Sequence, residues 1–277
     1  MSRATRILRS EYTKVTSTRM WWLLALVLFF YVGLSAAGIA LLFGFQLQAV
    51  ADGAPANPAQ PLPPADVLPP IVYSLASSIG YVFPLLIGAL SVTNEFRHQT
   101  LTPTFLASPR RGGVLGAKSL TAVLFGAFYG VIALLAAAGL GAILLALFDI
   151  DPLLGESDTW ALIGRAVIAM ALWAAVGVGV GAILPSQVGS VVVILAFTQF
   201  LEPILRFAAG FVEQLGEIAQ YLPGAAGDAL VGASFFAVAT SEGAPMLEWW
   251  QGGLVLAGYA VLLTGIGYAT SWRRDVT

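Results

Sequence analysis

The sequence predicts an all-α membrane protein with six transmembrane helices. Hydrophobic residues make up 58% of the 277 residues and charged residues only 10%, whereas soluble domains carry about 25% charged residues. So few charges could not cover the core of a water-soluble chain, and lipid is therefore the expected solvent. Six apolar runs come close to or exceed the about 20 residues that a helix needs to cross a bilayer. They lie at 21–44, 71–92, 114–148, 161–184, 188–207 and 249–272.

The arrangement of charges predicts the topology. Lys and Arg cluster in three places: the N-terminal segment, the region from Arg97 to Lys118, and the C-terminal tail with Arg273 and Arg274. Most acidic residues fall in the connections between these places. Basic residues are enriched in loops on the cytoplasmic side of membranes. Six spans place both termini on one side, and the charges predict that this side is the cytoplasm.

The N-terminal segment 1–19 combines basic residues with apolar residues at helical spacing. This pattern predicts an amphipathic helix lying along the inner membrane surface. A short basic tail without structure is the alternative. The helix is expected to lead into the first span through Trp21 and Trp22, which sit where interfacial aromatic residues belong.

Two further connections shape the prediction. Residues 46–70 are rich in Pro, Ala and Asp and predict an external loop. Region 211–248 contains an apolar stretch, 225–239, of only about half the length of a crossing. We therefore expect an external re-entrant segment there, between the fifth and sixth spans.

Motifs for catalysis are missing from the sequence. The run Gly112–Ser119 resembles a phosphate-binding loop, but Ala117 occupies the position before the lysine where that loop needs glycine. The chain has no cysteine, a single histidine, His98, and no Gly-x-Ser-x-Gly. We therefore expect no catalytic residues, no metal site and no cofactor bound by this chain, and no nucleic-acid partner.

Glu202 and Arg206 are a charged pair inside an apolar run. Their i, i+4 spacing places both on one face of the fifth span, and charges at membrane depth need partners. Either the pair belongs to a translocation path or gate, or it is an ion pair that fixes helix packing. Pro203 should break the helix nearby.

The loop 94–113 carries the strongest functional signal. It is the only sizeable loop on the predicted inner side, and it combines charges with apolar residues: Phe96, Leu101, Phe105 and Leu106. Apolar residues displayed on a polar loop are typical of a partner surface. A loop whose apolar side chains dip into lipid is the alternative.

At this loop the sequence resembles the permease subunits of ABC transporters of the ABC-2 type, especially those of actinobacteria. The similarity rests on Glu95-Phe96-Arg97-His98 with Thr100 and Leu101, on 107–111 and on Lys118, and it extends to Glu202-Pro203 and to 222–226. It covers the whole chain and does not identify the substrate.

The resemblance implies a division of labour in a bacterial cell membrane. A separate ATPase subunit would bind ATP and Mg²⁺, and the 94–111 loop would dock on it as a coupling helix. A second permease chain, identical or paralogous, would complete the pair, and export of a hydrophobic or amphipathic drug, lipid or peptide is expected. The expected docking residues are Glu95, Phe96, Arg97, Thr100, Leu101, Thr104, Phe105 and Arg110.

Other function classes remain open at the level of sequence. A non-transporting sensor or assembly subunit on the same fold is an alternative that the sequence leaves open. An ion-coupled secondary transporter would need ionisable residues deep inside several helices, and four of the six predicted spans have essentially none. The chain is not expected to be an enzyme by itself.

Overall fold

The computed structural model describes residues 3–55, 62–108, 110–209, 213–235 and 246–272. These residues form helices and connections without strands, and six helical segments are long and apolar enough to cross a membrane. For these residues, the prediction of an all-α chain with six helices able to span a membrane is therefore confirmed. The spans are α2 (Met20–Ala51), α3 with α4 (Leu68–Ser78, Val82–Arg97), α6 (Arg111–Leu147), α7 (Ser157–Ile183), α8 with α9 (Gln187–Ala196, Glu202–Ala209) and α12 with the π-helical turn that follows it (Trp249–Gly267, Tyr268–Trp272).

Among the described residues, four shorter helices lie between or beside the spans. One precedes the first span, one lies within the predicted loop 94–113, and two follow the fifth span. Residues 211–212 and 236–245 of the predicted re-entrant region 211–248 lie outside the described residues. The short helices are α1 (Arg3–Thr16), α5 (Leu101–Ala107), α10 (Glu213–Ala219) and α11 (Pro223–Val231).

Helix α7 is at the centre of the bundle and packs against α4, α6 and α12. Its contact with α4 is close because glycines face backbone. A Cβ at Gly88 would lie 2.1 Å from the carbonyl oxygen of Ala174, and one at Gly177 would lie 2.1 Å from that of Leu85. Small residues allow such approach between membrane helices, which gain stability from packing rather than from a hydrophobic driving force.

Two spans are interrupted. The second span breaks at residues 79–81, where a Cβ at Gly80 would meet the carbonyl of Ala76 at 2.2 Å. Pro84 then lies in the first turn of α4, where its missing N–H costs no helical hydrogen bond. The fifth span passes through a π-helical turn, Phe197–Leu201, directly before Pro203.

The segments predicted to be cytoplasmic meet at one end of the bundle, which we call the basic end. Lys14 Nζ of α1 lies 2.5 Å from Glu95 Oε1 of α4. Arg97 Nη1 donates to Gln187 Oε1 at 2.5 Å, and Trp272 Nε1 donates to the carbonyl oxygen of Arg111 at 3.0 Å. Their side of the membrane stays a prediction.

At the opposite end the predicted external connections come together. Tyr73 in the second span donates its hydroxyl to the carbonyl of Pro152 at 2.8 Å. The ring of Phe45 in the first span lies 4.8 Å from that of Phe148. Successive connections between the spans therefore lie at alternating ends of the bundle, as the charge pattern predicts.

The N-terminal residues form helix α1 rather than a tail without structure. Tyr12 stacks on Phe125 of α6 with 5.9 Å between ring centroids, and Trp21 contacts the same ring edge-on. Helix α1 is thus packed on the third span at the basic end. Its predicted position along a membrane surface stays a prediction.

Candidate functional site

The segment 94–113, predicted as a loop, is mostly helical. Helix α4 continues to Arg97, α5 occupies 101–107, and α6 begins at Arg111. The expected docking residues are divided among these elements. Glu95, Phe96 and Arg97 end α4, Thr100 precedes α5, Leu101, Thr104 and Phe105 lie in α5, and Arg110 precedes α6.

Four charged side chains form what we call the ion-pair cluster: Glu11, Lys14, Glu95 and Lys118. Lys118 Nζ lies 2.5 Å from Glu11 Oε2 and 3.0 Å from Glu95 Oε1. Lys14 Nζ lies 2.6 Å from Glu11 Oε1 and 2.5 Å from the same oxygen of Glu95. Each lysine therefore bridges both carboxylates, and the four formal charges cancel.

Three of the four members of the ion-pair cluster are buried, and the side chain of the fourth, Lys14, is 37% exposed. Glu11 and Glu95 are 4% exposed and Lys118 is 2% exposed. Lys118 Nζ also donates to the carbonyl of Ser91 at 3.1 Å. Burial alone would favour neutral Lys14, but its hydrogen bonds to Glu11 and Glu95 outweigh burial and raise its pKa above the ordinary value of 10.5. A buried charge is costly without a partner, so the cluster is stable only while α1, α4 and α6 stay together.

An aromatic cluster around Trp272 holds α5 from the other side. Trp272 is 1% exposed, and its ring lies 6.0 Å from that of Phe96 and 5.6 Å from that of Phe105. The guanidinium of Arg111 lies 5.0 Å from the centroid of the Phe105 ring. The end of the sixth span is thus packed against α4 and α5.

The predicted display of apolar side chains is wrong for Leu101. Leu101 is 1% exposed and belongs to a buried cluster that includes Val92, Val114 and Trp272. Phe96 and Phe105 are partly buried against the same cluster. Leu106, at 80% exposure, is displayed. The sequence could not distinguish these residues because the difference depends on a tryptophan more than 160 residues away.

The outer surface of α5 faces away from the spans. Thr102, Pro103 and Leu106 of α5 are exposed, as are Arg97, which precedes α5 in sequence, and Arg110, which follows it. Between α5 and α1 runs a groove of about 700 Å³. It is lined by Arg6, Ile7, Ser10, Glu11, Lys14, Thr100, Pro103, Thr104, Ser108 and Val114.

The second predicted polar element, Glu202 with Arg206, is part of a larger arrangement around α11. Arg206 Nη2 donates to Asp228 Oδ2 at 2.7 Å. The partner of the guanidinium therefore lies on α11 and not only on the helix that carries Glu202 and Arg206. Ser78 at the break of the second span donates to the other oxygen of Asp228 at 2.7 Å. Glu202 Oε1 accepts the N–H of Gly224 in the first turn of α11.

Sequence reasoning missed Glu11, Lys14, Trp272 and Asp228 as members of these sites. Glu11 offered one signal, because it is the only acidic residue among the six charged residues of the first 19 positions. Asp228 offered another, since it is an acid within a predicted apolar stretch. Neither signal indicates the partner, which is set by how helices distant in sequence pack.

Within the described residues, no group of three or more His, Asp or Glu side chains could hold a metal ion. Comparisons with known proteins add no family: no family model matches the chain, and no curated protein matches it.

Proposed function

We propose that the chain is the permease subunit of an ATP-driven ABC transporter of the ABC-2 type. The sequence of 94–111 suggested this class, and the geometry of α5 supports it best. A coupling element must be fixed to the spans it moves and must leave one face free for the ATPase. Helix α5 meets both requirements.

The fixed side of α5 depends on three of the six spans. Leu101 and Phe105 pack on the aromatic cluster with the end of the sixth span. The second and third spans contribute Glu95 and Lys118 to the ion-pair cluster, and Lys14 of that cluster lies 3.5 Å from Thr104 Oγ1 of α5. A force on α5 would therefore act on packed side chains rather than on a flexible loop. Close-packed protein interiors transmit displacement because they are little compressible.

The free side of α5 is small and mixed in character. Leu106 is the largest exposed apolar side chain of α5, and the exposed Arg97 and Arg110 precede and follow α5 in sequence with positive charge. A central apolar anchor with a polar rim is the usual anatomy of a protein interface. Of the eight residues expected to dock, we therefore retain Arg97, Thr100 and Arg110 as direct contacts. The buried Glu95 and Leu101 would position α5.

In this proposal the partner ATPase binds ATP and Mg²⁺ and closes on nucleotide, and the permease passes between two states that differ in their contacts with it. A second permease chain, identical or paralogous, would pack beside the first in the bacterial cell membrane with the basic end in the cytoplasm. We propose export of a hydrophobic or amphipathic substrate by resemblance alone.

The experiment is a matched pair of charge insertions. Leu106→Glu places a charge at the centre of the free face, and Leu154→Glu places one on an exposed leucine beyond α6, at the other end of the bundle. Tagged chains purified from the source membranes would be assayed for a co-purifying ATPase subunit and for ATP hydrolysis. We expect Leu106→Glu to lose the subunit and its activity by at least tenfold and Leu154→Glu to keep both.

Equal recovery of an active ATPase with both variants would contradict docking through α5. Purification of the native chain without any ATP-hydrolysing subunit would contradict the transporter class itself. Because the chain contains no cysteine, single cysteines at 110 and at 154 can also be labelled on intact cells. Labelling of position 110 from outside would contradict the proposed orientation.

A further inference from the structure

Glu202 is a buried carboxyl, and in the part of the chain that the structure describes only one of its two oxygens accepts a hydrogen bond. Glu202 is 1% exposed. Oε1 accepts the backbone N–H of Gly224 at 2.5 Å, whereas Oε2 has no hydrogen-bond partner among the described residues. An ionised oxygen in that position would lack both water and a donor, which is expensive for a charge.

The contact with α11 is built closely around this carboxyl. Pro223 and Gly224 open α11, and a Cβ at Gly224 would lie 2.5 Å from Glu202 Oε1 and 2.8 Å from Glu202 Cδ. Only glycine therefore allows the carboxyl to reach the first turn of α11. Glu202 of the fifth span thus caps a helix that packs against α3, α7 and α12.

The charges around Glu202 do not balance if every acid is ionised. Asp228 and Arg206 form a pair at 2.7 Å, and Ser78 and Ser234 each donate to Asp228 at 2.7 Å. Adding an ionised Glu202 to this pair leaves one net negative charge in the interior. One small cation must be supplied, or the charge must be removed.

The chain itself has little positive charge to supply. Between Lys118 and Arg273 the sequence contains only two basic residues, Arg165 and Arg206. Arg165 lies at the opposite end of α11, where its Nη1 would be 3.1 Å from a Cβ at Gly232. Among the described residues, Tyr81, Tyr259 and the backbone N–H of Ala225 also interact with the Glu202 carboxyl, and none of these groups carries a positive charge.

We propose that Glu202 is a proton-binding site, and that the bound proton holds α11 against the fifth span. A proton from water adds to Oε2 and leaves a neutral carboxyl, while Oε1 keeps the hydrogen bond from Gly224. Loss of that proton creates the unbalanced negative charge and weakens the packing of α11. A proton needs no cavity, unlike a larger cation. This inference does not depend on the proposed transport function.

The direct test is infrared spectroscopy of the purified chain in detergent. A protonated carboxyl has a C=O stretch that is distinct from the bands of a carboxylate. At pH 7 we expect this band in the native protein, its loss in Glu202→Gln, and its persistence in Glu217→Gln, which removes an exposed carboxyl of α10. A native spectrum without the band, or a band that survives Glu202→Gln, would overturn the proposal.

The second test uses stability, and its sign follows from the proton. Above about pH 4.3, where a glutamate in an unfolded chain ionises, the unfolded state releases a proton that the folded state keeps. Stability must then fall as pH rises. The side chain of glutamine does not ionise, so Glu202→Gln serves as the reference. The unfolding constant of the native protein, divided by that of Glu202→Gln, should rise by up to tenfold for each unit of increase in pH.

Cation identity is decided in the same experiment. The series is repeated at fixed pH with sodium or potassium chloride from low to high concentration. The quantity compared is the unfolding constant of the native protein divided by that of Glu202→Gln. If this ratio depends on pH and not on salt concentration, the result supports a bound proton. If it depends on the sodium or potassium concentration and not on pH, or does not change with pH, the result overturns the proposal.

Discussion

Replacing Lys118 by methionine removes one of the two positive charges of the ion-pair cluster while it keeps an apolar stem of similar length. Lys118 is 2% exposed, and its Nζ lies within 3.0 Å of both Glu11 and Glu95. Removing one partner from a buried ion pair typically costs about 3–5 kcal/mol, because the other charge stays buried. Lys14 still contacts both carboxylates in the variant. We therefore expect the lower end, about 3 kcal/mol.

A loss of about 3 kcal/mol corresponds to more than a hundredfold change in the unfolding equilibrium, at about 1.36 kcal/mol per factor of ten. We expect α1 to detach from the bundle before the whole protein unfolds, because α1 is joined to α4 and α6 through this cluster. A single cysteine at Val15, which packs partly buried against the core, would report the release of α1. We expect Lys118→Met to raise its labelling rate by at least tenfold.

A compensating substitution separates charge from packing. Glu11→Gln in the Lys118→Met background leaves Lys14 and Glu95, one charge of each sign. If the cost arises from an unbalanced buried charge, the double variant should recover at least half of the lost stability, as measured by a double-mutant cycle in mixed micelles. Arg9→Met, at an exposed position of α1, should change stability by less than about 0.5 kcal/mol.

A cost for Lys118→Met as small as that of Arg9→Met would refute the reasoning. The reasoning would also be refuted if the double variant lost more stability than the two single variants lose when their losses are added. Either result would mean that the four charges are hydrated in the protein and contribute little, as exposed ion pairs do.

Two further substitutions test the packing at the two sites. Trp272→Ala should cost about 3–5 kcal/mol, the usual range for truncating a buried tryptophan, and should speed amide exchange in α5; unchanged exchange there would show that the aromatic cluster does not hold α5. Gly224→Ala should displace Glu202 because the new Cβ would lie 2.5 Å from its carboxyl oxygen. The matched Gly258→Ala, in a helix with no heavy atom within 4 Å of the new Cβ, should be neutral or stabilising. Equal midpoints of thermal unfolding for the two glycine variants would contradict the close contact.

Single-residue detail at the candidate site was only partly predictable. The sequence predicted 94–111 to be the functional segment because charged and apolar residues are combined there outside any predicted span. It could not show that Leu101 faces inward and Leu106 outward, since both are leucines of one short helix. Which leucine is buried depends on how α5 is rotated against Trp272, and the local composition does not determine that rotation.

The number of spans, the all-α class and the sorting of connections between two ends followed from the sequence by itself. These properties depend on local quantities: a bilayer fixes the length of an apolar run, and each connection carries its own charges. The pairing of Lys118 with Glu11, 107 residues apart, and of Arg206 with Asp228 was decided only by tertiary structure. Such pairs arise from the rotation and depth of one packed helix relative to another, and many arrangements share the same hydropathy profile.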